Sequence, residues 1–522
     1  MRNDKGFATA IVRRAWIGQR DLDFCDTTYS DRRQIEALSA TPFHVGLRLM
    51  LRLMPLITMF SKTNFRRRLA CLLAPLLLVA ACGGGGGGGG NSNPPASSTP
   101  PSVDQLANIC TPAGEKAWEL AHLNDVYLFY RDIVQVDPNA YATPEDYFKA
   151  LLVKSKDRFS FVEPQSVADA FFNAGQNIGY GAEFVFDASG HLRIGFVDAT
   201  GPLAAQNVAR GADITVVAGT PVSQLTRAQL NAFLFPNSVG VSLALTVVDA
   251  GQSGPRDITI VSANVTQNPV PNVQVLNVAG GAKVGYILFN DHIATSEAAL
   301  IAAVTTLKAA GVNDLVLDIR YNGGGFLYIA SELARMIGGS TIVAGATFEK
   351  LIFNDKHPEK TNNPANTVPF YTTATNGQVL PTLDLSRVFV ITAPGTCSAS
   401  ESVINGLSPF VQVIRIGGTT CGKPYGFIQT NNCGKAYFAI QFQGVNNLGF
   451  GDYTTGFAPT CVVPDDFSHA LGDVNEGRLA ATIAYRNTGA CPATSSSQEA
   501  LKSASNADRA LHRPDRERRL IR

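Results

Sequence analysis

Between residues 283 and 418 the chain alternates short apolar runs with longer stretches of helical spacing. "KVGYILFN" (283–290), "DLVLDIR" (314–320), "RVFVITA" (387–393) and "VQVIRIGG" (411–418) are nearly continuous apolar runs of strand length. Strands buried on both faces read this way. Between them, "SEAALIAAVTTLKAAG" (296–311), "FLYIASELARMIGG" (326–339) and "SASESVINGLS" (398–408) repeat apolar positions every three or four residues, the period of a helix packed on one face. Strand–helix alternation predicts a multidomain α/β chain whose core, residues 275–492, is layered and carries its sites at strand ends.

Upstream the period changes twice. Residues 104–170 read as a helical region. "GEKAWELAHLNDVYLFYRDI" spaces Trp118, Leu120, Leu123, Val126, Tyr127 and Tyr130 at helical intervals. "TPEDYFKALL" opens with Thr143 as N-cap, Pro144 at the first helical position and acids in the first turn, all helix-start signals. Residues 171–270 are β-rich. "GAEFVFDASGHLRIGFV" and "VSLALTVVDAGQSGPRDITIVSANV" predict hairpins, "GADITVVAGTPV" a strand entering a turn, and "TRAQLNAFLF" a short helix. This order resembles a PDZ domain. Arg210-Gly211-Ala212-Asp213 and Gly219-Thr220-Pro221-Val222 stand at its two characteristic turns, with one residue added in the first. The resemblance implies that the loop Gly179, Tyr180, Gly181 receives a peptide carboxylate, the peptide adding as a strand to a sheet edge.

The first hundred residues predict targeting, not fold. "RRRLACLLAPLLLVAAC" (66–82) sets three arginines before an apolar stretch too short to span a bilayer. Its end, Val79-Ala80-Ala81-Cys82, resembles a bacterial lipobox, which implies a signal peptide over 59–81 and lipidation of Cys82. Met59 is a conventional start, leaving 1–58 a doubtful leader or an over-called start. Residues 82–103 are Gly-rich, then Pro/Ser-rich, and form a tether. Residues 493–522 read as a disordered basic tail.

Composition narrows the function. The 522 residues are 45% hydrophobic and 16% charged, with formal net charge +1. Of the 43 basic and 42 acidic residues, 13 and 6 precede Cys82, leaving 30 and 36 and a balance of −6. That argues against nucleic acid. Beyond Cys82 there are six cysteines: Cys110, Cys397, Cys421, Cys433, Cys461 and Cys491. In an oxidising compartment they imply up to three disulfides. Cys110 and Cys491 bracket the folded region, and a bond between them would tie its ends. No spacing suits zinc, and neither metal nor cofactor is expected.

Three spots carry candidate chemistry. The first is "LDIRYNGGGF", whose consecutive glycines after a buried strand let backbone amides approach a ligand. The second is Ser398 in "APGTCSASESVINGL", where Ser398 and Glu401 also fit a helix capping box. The third is "GGTTCGKPYGF" around Lys423. Gly417 to Lys423 fits the start of a P-loop, but Pro424 follows where a hydroxyl is needed, so no nucleotide is expected. His292 and His469 have no motif around them and read as packing or surface residues. A lysine can replace histidine as the base for a serine nucleophile, provided burial disfavours its ammonium form.

Together the spots resemble the C-terminal-processing (tail-specific) serine peptidases, which join a PDZ domain to a ClpP/crotonase-like core. Ser398-Ala399-Ser400-Glu401 and Gly422-Lys423 match that family's nucleophile and base motifs at its usual offset of 25 positions. Asp318 to Gly325 matches its glycine loop, and "KDRFSF" (156–161) the end of its helical region. The resemblance implies that Ser398 attacks, Lys423 is the base, and the amides of Ala399 and of Gly323 or Gly324 hold the oxyanion. It also implies protein or peptide substrates with free C-termini. The place of a supporting glutamine holds Phe427, with Gln429 the nearest substitute. Cys397 and Cys421 flank the two catalytic positions and either brace them by a disulfide or pair elsewhere. The expected protein is a lipid-anchored endopeptidase of the bacterial envelope, in the outer membrane facing the periplasm or at the cell surface. A non-catalytic peptide-binding scaffold lipoprotein is the alternative, and crotonase-like acyl-CoA chemistry a third reading.

Overall fold

The computed structural model describes residues 101–493 and, as backbone strands, 509–511 and 519–521. The doubtful leader, the signal segment, Cys82 and most of the tether lie outside the described residues. No helix among the described residues is long and apolar enough to cross a membrane.

The predicted alternation builds the central sheet. Its six strands run in the order Asn272–Asn277, Lys283–Leu288, Asp314–Asp318, Arg387–Thr392, Gln412–Gly417, Cys461–Val462. The first pair is antiparallel and the rest are parallel. Parallel neighbours need crossovers, supplied by helices Ser296–Ala310, Leu327–Ile342 and Ala399–Leu407. One face packs on these helices through Leu300, Leu317, Ile337, Val390 and Ile404. The other packs on helix Gly477–Thr488 through Val316, Phe389, Ile416 and Leu479. Both faces are covered, which is why the strands carry unbroken apolar runs. The strand ends where sites were expected point Asp318, Thr392 and Gly417 toward one edge of the body.

A second sheet takes in strands that follow two of these ends, Gly324–Phe326 after Asp318 and Tyr425–Phe427 after Gly417. Its order is Gly324–Phe326, Arg519–Ile521, Tyr425–Phe427, Ile440–Val445, Thr347–Phe353, Thr367–Pro369. The helical region packs on an aromatic cluster of Trp118, Phe148, Phe161, Tyr437 and Phe438. Helix Pro112–Val126 ends before Tyr127 and Tyr130, which the spacing had included. Tyr127 turns away because its hydroxyl is held by Asp157 at 2.7 Å in the buried interior. Thr143 caps its helix as expected, accepting from the Asp146 amide at 3.1 Å.

The β-rich segment forms both expected hairpins, Ala182–Phe186 with Leu192–Val197 and Ser242–Val248 with Pro255–Val261. Helix Arg227–Leu234 starts at a Thr226 capping box. Arg210 anchors this segment to the core. Its guanidinium donates to Asp465 at 2.7 Å, to the Tyr321 hydroxyl at 2.8 Å and to the His469 carbonyl at 3.1 Å.

Cysteine pairing differs from the expected tie between the ends. Cys110 joins Cys433, Cys461 joins Cys491, and Cys397 joins Cys421. Each outer cysteine is fastened to the interior beside it rather than to the other. Within the tail read as disordered, Arg509–Leu511 and Arg519–Ile521 form short strands.

Candidate active site

Strand Arg387–Thr392 ends at a tight turn, Ala393 to Cys397, that delivers Ser398 to the start of a helix. Ser398 has φ 61° and ψ −116°. A non-glycine residue held there stores on the order of 1–3 kcal/mol of strain, a mark of sites where geometry serves function. Ser398 is fully buried, and its hydroxyl takes no cap bond and has no hydrogen-bond partner among the described residues. The cap-like position therefore leaves Oγ uncommitted.

Glu401 binds this turn to the one carrying Lys423. Its Oε2 accepts from the Ser398 amide at 3.0 Å and from the Lys423 amide at 2.8 Å. Its Oε1 accepts from the Gly422 amide at 2.8 Å and the Thr420 hydroxyl at 2.5 Å. Burial pushes the Glu401 pKa up, and these four donors pull against that rise. The Cys397–Cys421 disulfide links the same two turns, with Cα atoms 5.2 Å apart. In chain-entropy terms, closing a loop of this separation of 24 residues is worth about 3.5 kcal/mol. Cys397, Glu401 and Cys421 group their donor atoms closely, but the two sulfurs are spent in the disulfide.

Lys423 is fully buried. Its Nζ lies 3.6 Å from the centroid of the Phe427 ring and 5.5 Å from that of Phe159. Phe427, at the expected glutamine position, contributes a ring face in place of an amide. Gln429 does not stand in: its Nε2 donates to Asn431 at 3.0 Å and to Asp169 at 3.4 Å. It lies between strands Tyr425–Phe427 and Thr430–Asn432, and its side chain reaches Asp169 of the helical region. The "KDRFSF" segment closes the lysine's surroundings. Asp157 accepts from the Phe159 and Ser160 amides at 2.8 and 2.9 Å, and Arg158 donates to the Cys421 carbonyl at 2.7 Å.

The glycine loop is locked against the nucleophile turn through Asn322. Its carbonyl accepts from the Cys397 amide at 3.1 Å and the Ser400 hydroxyl at 3.0 Å. Its side-chain Oδ1 accepts from the Gly324 amide at 2.9 Å. That bond removes Gly324 from the expected pair of oxyanion donors, because its N–H already has an acceptor. Gly323 lines the adjoining cleft with Tyr321 and Gly395. Among the described residues, neither the Gly323 nor the Ala399 amide has an acceptor. Gly325, at φ 141°, cannot take a side chain, since a Cβ there would lie 2.1 Å from the His292 carbonyl oxygen.

His292 supports this loop rather than the serine. It is fully buried, with Nδ1 3.0 Å from Asn322 Oδ1, and its backbone brackets the loop through Gly324 and Phe326. Burial pushes its pKa down to about 3, against the hydrogen bond to Asn322. The unfolded imidazole titrates near 6.5, so between those values the unfolded chain binds the extra proton. The stability it contributes is present above about pH 6.5 and is lost as pH falls toward 3, at about 1.4 kcal/mol per pH unit at most. The urea midpoint is therefore expected to drop between pH 7 and pH 5, and less steeply in His292→Gln. Parallel profiles would remove His292 from the account.

The loop Gly179, Tyr180, Gly181 lines the same cleft as Gly323. Gly181, at φ 74°, packs against Gly201, whose Cα a side chain at 181 would meet at 2.6 Å. Tyr180 is buried, with its hydroxyl 3.3 Å from the Val241 carbonyl. His469 is partly exposed and pairs with Asp466.

The structure thus joins a parallel α/β core, a strained buried serine at a helix start and a buried lysine fastened to it through Glu401. Residues 283–434 match the model of peptidase family S41, and residues 114–161 that of the peptidase S41 N-terminal domain. These matches and the relatives below support peptidase family S41, the C-terminal processing peptidases, for this chain. It is 28% identical over 300 residues to the chloroplastic C-terminal processing peptidase of Tetradesmus obliquus, across 55% of this chain and 60% of that one. It is 28% identical over 192 residues to a carboxyl-terminal-processing protease of Picosynechococcus, across 37% of this chain and 40% of that one. The chain thus spans 60% or less of the length of these two relatives. A solved structure from Bacteroides fragilis assigned to the S41 proteases shares the fold at TM-score 0.55 and 23% identity, covering 72% of this chain and 97% of its own. The observed fold accounts for the β-rich and helical segments as parts of one multidomain α/β body.

Proposed function

We propose that this chain is a serine endopeptidase in which Ser398 is the nucleophile and Lys423 the general base, cutting exported proteins or peptides near their C-termini. The observation that carries this reading is Glu401, one carboxylate hydrogen-bonded to the backbone of both residues. Ser398 Oγ attacks the scissile carbonyl while Lys423 Nζ takes its proton. The oxyanion is received by the Ala399 and Gly323 amides, the former at a helix N-terminus where the dipole favours negative charge. Lys423 then passes the proton to the leaving amine, and water enters by the reverse sequence to release the acyl group. The cycle requires Lys423 as the neutral amine.

Residues 171–270 act in this reading as a PDZ-like module, with Gly179, Tyr180 and Gly181 receiving the substrate's C-terminal carboxylate. Lipidation at Cys82 would hold the body at the bacterial envelope. A non-catalytic scaffold has no use for an uncommitted serine joined to a buried lysine. The test is cleavage of an unfolded protein by the full chain and by Ser398→Ala. Equal rates would sink the proposal.

Glu401 serves in this scheme as a positioning residue. Glu401→Ala is expected to lower kcat about 100-fold with KM nearly unchanged, since misplacement on the order of 1 Å carries such a penalty. Glu401→Gln, which keeps one acceptor oxygen, is expected to recover part of it. Loss of folding without partial rescue would assign Glu401 to stability alone.

A further inference from the structure

Two edges beside the cleft are closed by the chain's own C-terminal segment. Strand Ala182–Phe186 has Leu192–Val197 on one side. On the other it pairs antiparallel with Arg509–Leu511, in the register Phe186 with 509, Val185 with 510 and Phe184 with 511. Strand Ala182–Phe186 directly follows the Gly179–Gly181 loop, and the added strand runs toward that loop. An open sheet edge offers a row of unpaired backbone donors and acceptors, so it takes an extended segment through main-chain bonds.

The second contact is at the catalytic turns. Arg519–Ile521 lies parallel to Gly324–Phe326, pairing 519 with Gly324, 520 with Gly325 and 521 with Phe326. It also pairs with Phe427 on the strand that follows Lys423. Its Cα atoms come within 8 Å of those of helix Ala399–Leu407, which Ser398 begins. Here an extended backbone sits between the glycine loop and the strand that follows Lys423.

Charge favours the same occupant. After residue 500 the chain holds seven Lys/Arg and three Asp/Glu, a balance of +4, whereas residues 82–500 hold 23 and 33, a balance of −10. The segment is thus drawn to its own body before any strand pairs.

We propose that the strands Arg509–Leu511 and Arg519–Ile521 are an intramolecular inhibitor of this peptidase, the first docking on the Ala182–Phe186 edge and the second beside the catalytic turns, so that a protein substrate enters only after they leave. This regulation rests on the peptidase reading above. A tethered ligand acts at an effective concentration on the order of 1 mM. At an intrinsic affinity of about 100 μM it occupies its site about ten parts in eleven, which lowers kcat/KM about tenfold.

The experiment compares the full chain with a form lacking residues 497–522, each with Ser398 and with Ser398→Ala. Deletion is expected to raise kcat/KM on an unfolded protein about tenfold. The double variant Leu511→Pro with Leu520→Pro, which keeps the segment but removes two backbone donors, is expected to approach the same rate. A fluorescein-labelled peptide of residues 505–522 is expected to bind the truncated Ser398→Ala protein and to bind the full-length Ser398→Ala protein at least tenfold more weakly. Equal rates with and without the segment, or equal or absent peptide binding to the two forms, would overturn the inference. Absence of Ser398-dependent cleavage in both forms would overturn the peptidase reading instead, and the binding comparison would still decide the docking.

Discussion

Ser398→Ala is expected to lower kcat/KM on an unfolded protein substrate by on the order of 10⁴-fold or more, and Lys423→Ala by a comparable factor. In the proposed mechanism the serine supplies the bond to the substrate, and the turn carrying the lysine is tied to its own by Glu401 and the Cys397–Cys421 bond. A nucleophile and its base act as one unit, so the double variant is expected to be no slower than either single one. Losses that multiply would mean the two residues act independently and would contradict a shared proton transfer. Lys423→Met provides the control for folding. It keeps an apolar stem against Phe427 and Phe159, removes the amine, and is expected to remain folded and inactive. Activity in Lys423→Met would rule out the lysine as base.

Arg320→Leu is expected to destabilise the body by about 3–5 kcal/mol, the scale for breaking a buried ion pair from one side. Arg320 is fully buried and is shared among three carboxylates, forking onto two of them. It donates to Asp318 at 2.9 and 2.8 Å, to Glu476 at 2.8 and 2.9 Å, and to Asp465 at 2.6 Å. Burial alone would raise the pKa of Asp465, but Arg210, Arg478 and Arg320 together hold it well below the usual carboxylate range. Without Arg320, Asp318 and Glu476 are left charged in an apolar interior or must take up protons. Arg320→Lys is expected to recover little, because a point charge cannot satisfy two carboxylates in the geometry of a fork. The urea midpoint at pH 7 measures both. A loss below about 1 kcal/mol for Arg320→Leu would show that the neighbouring arginines suffice.

The core could be read from residues alone because its pattern is local. Unbroken apolar runs such as Val388–Ile391 and the three-four spacing of Leu300, Val304 and Leu307 specify burial without reference to distant partners. Ser398 and Lys423 stand out in the sequence through their motif and offset, and the fold ties their turns together at Glu401. What surrounds them does not stand out. Phe159 reaches the lysine from the helical region, and its neighbour Arg158 bonds Cys421 across 263 positions of sequence. Nothing in the local pattern of "KDRFSF" marks an aromatic ring for that use. Gln429 is near Lys423 along the chain, but its side chain is held by Asn431 and Asp169. The choice between Gly323 and Gly324 depended on a side-chain bond from Asn322 that spacing cannot reveal. Cysteine pairing was equally hidden, since six thiols allow 15 arrangements and only the packed structure brings Cys110 to Cys433.

The outer disulfides bear on a danger specific to this chemistry. Under the proposed function, a protease of unfolded segments would meet copies of itself, and self-digestion would start wherever a border of a domain frays. Cys110 stands just before helix Pro112–Val126, and Cys491 just after helix Gly477–Thr488. Each is fastened to an interior strand or its flank, at Cys433 and Cys461. Neither border helix can then peel away as the slack thread that a sister molecule's cleft requires. The cystines at the margins make the body poor prey for its own kind, and leave the segments beyond them as the parts it can safely give up.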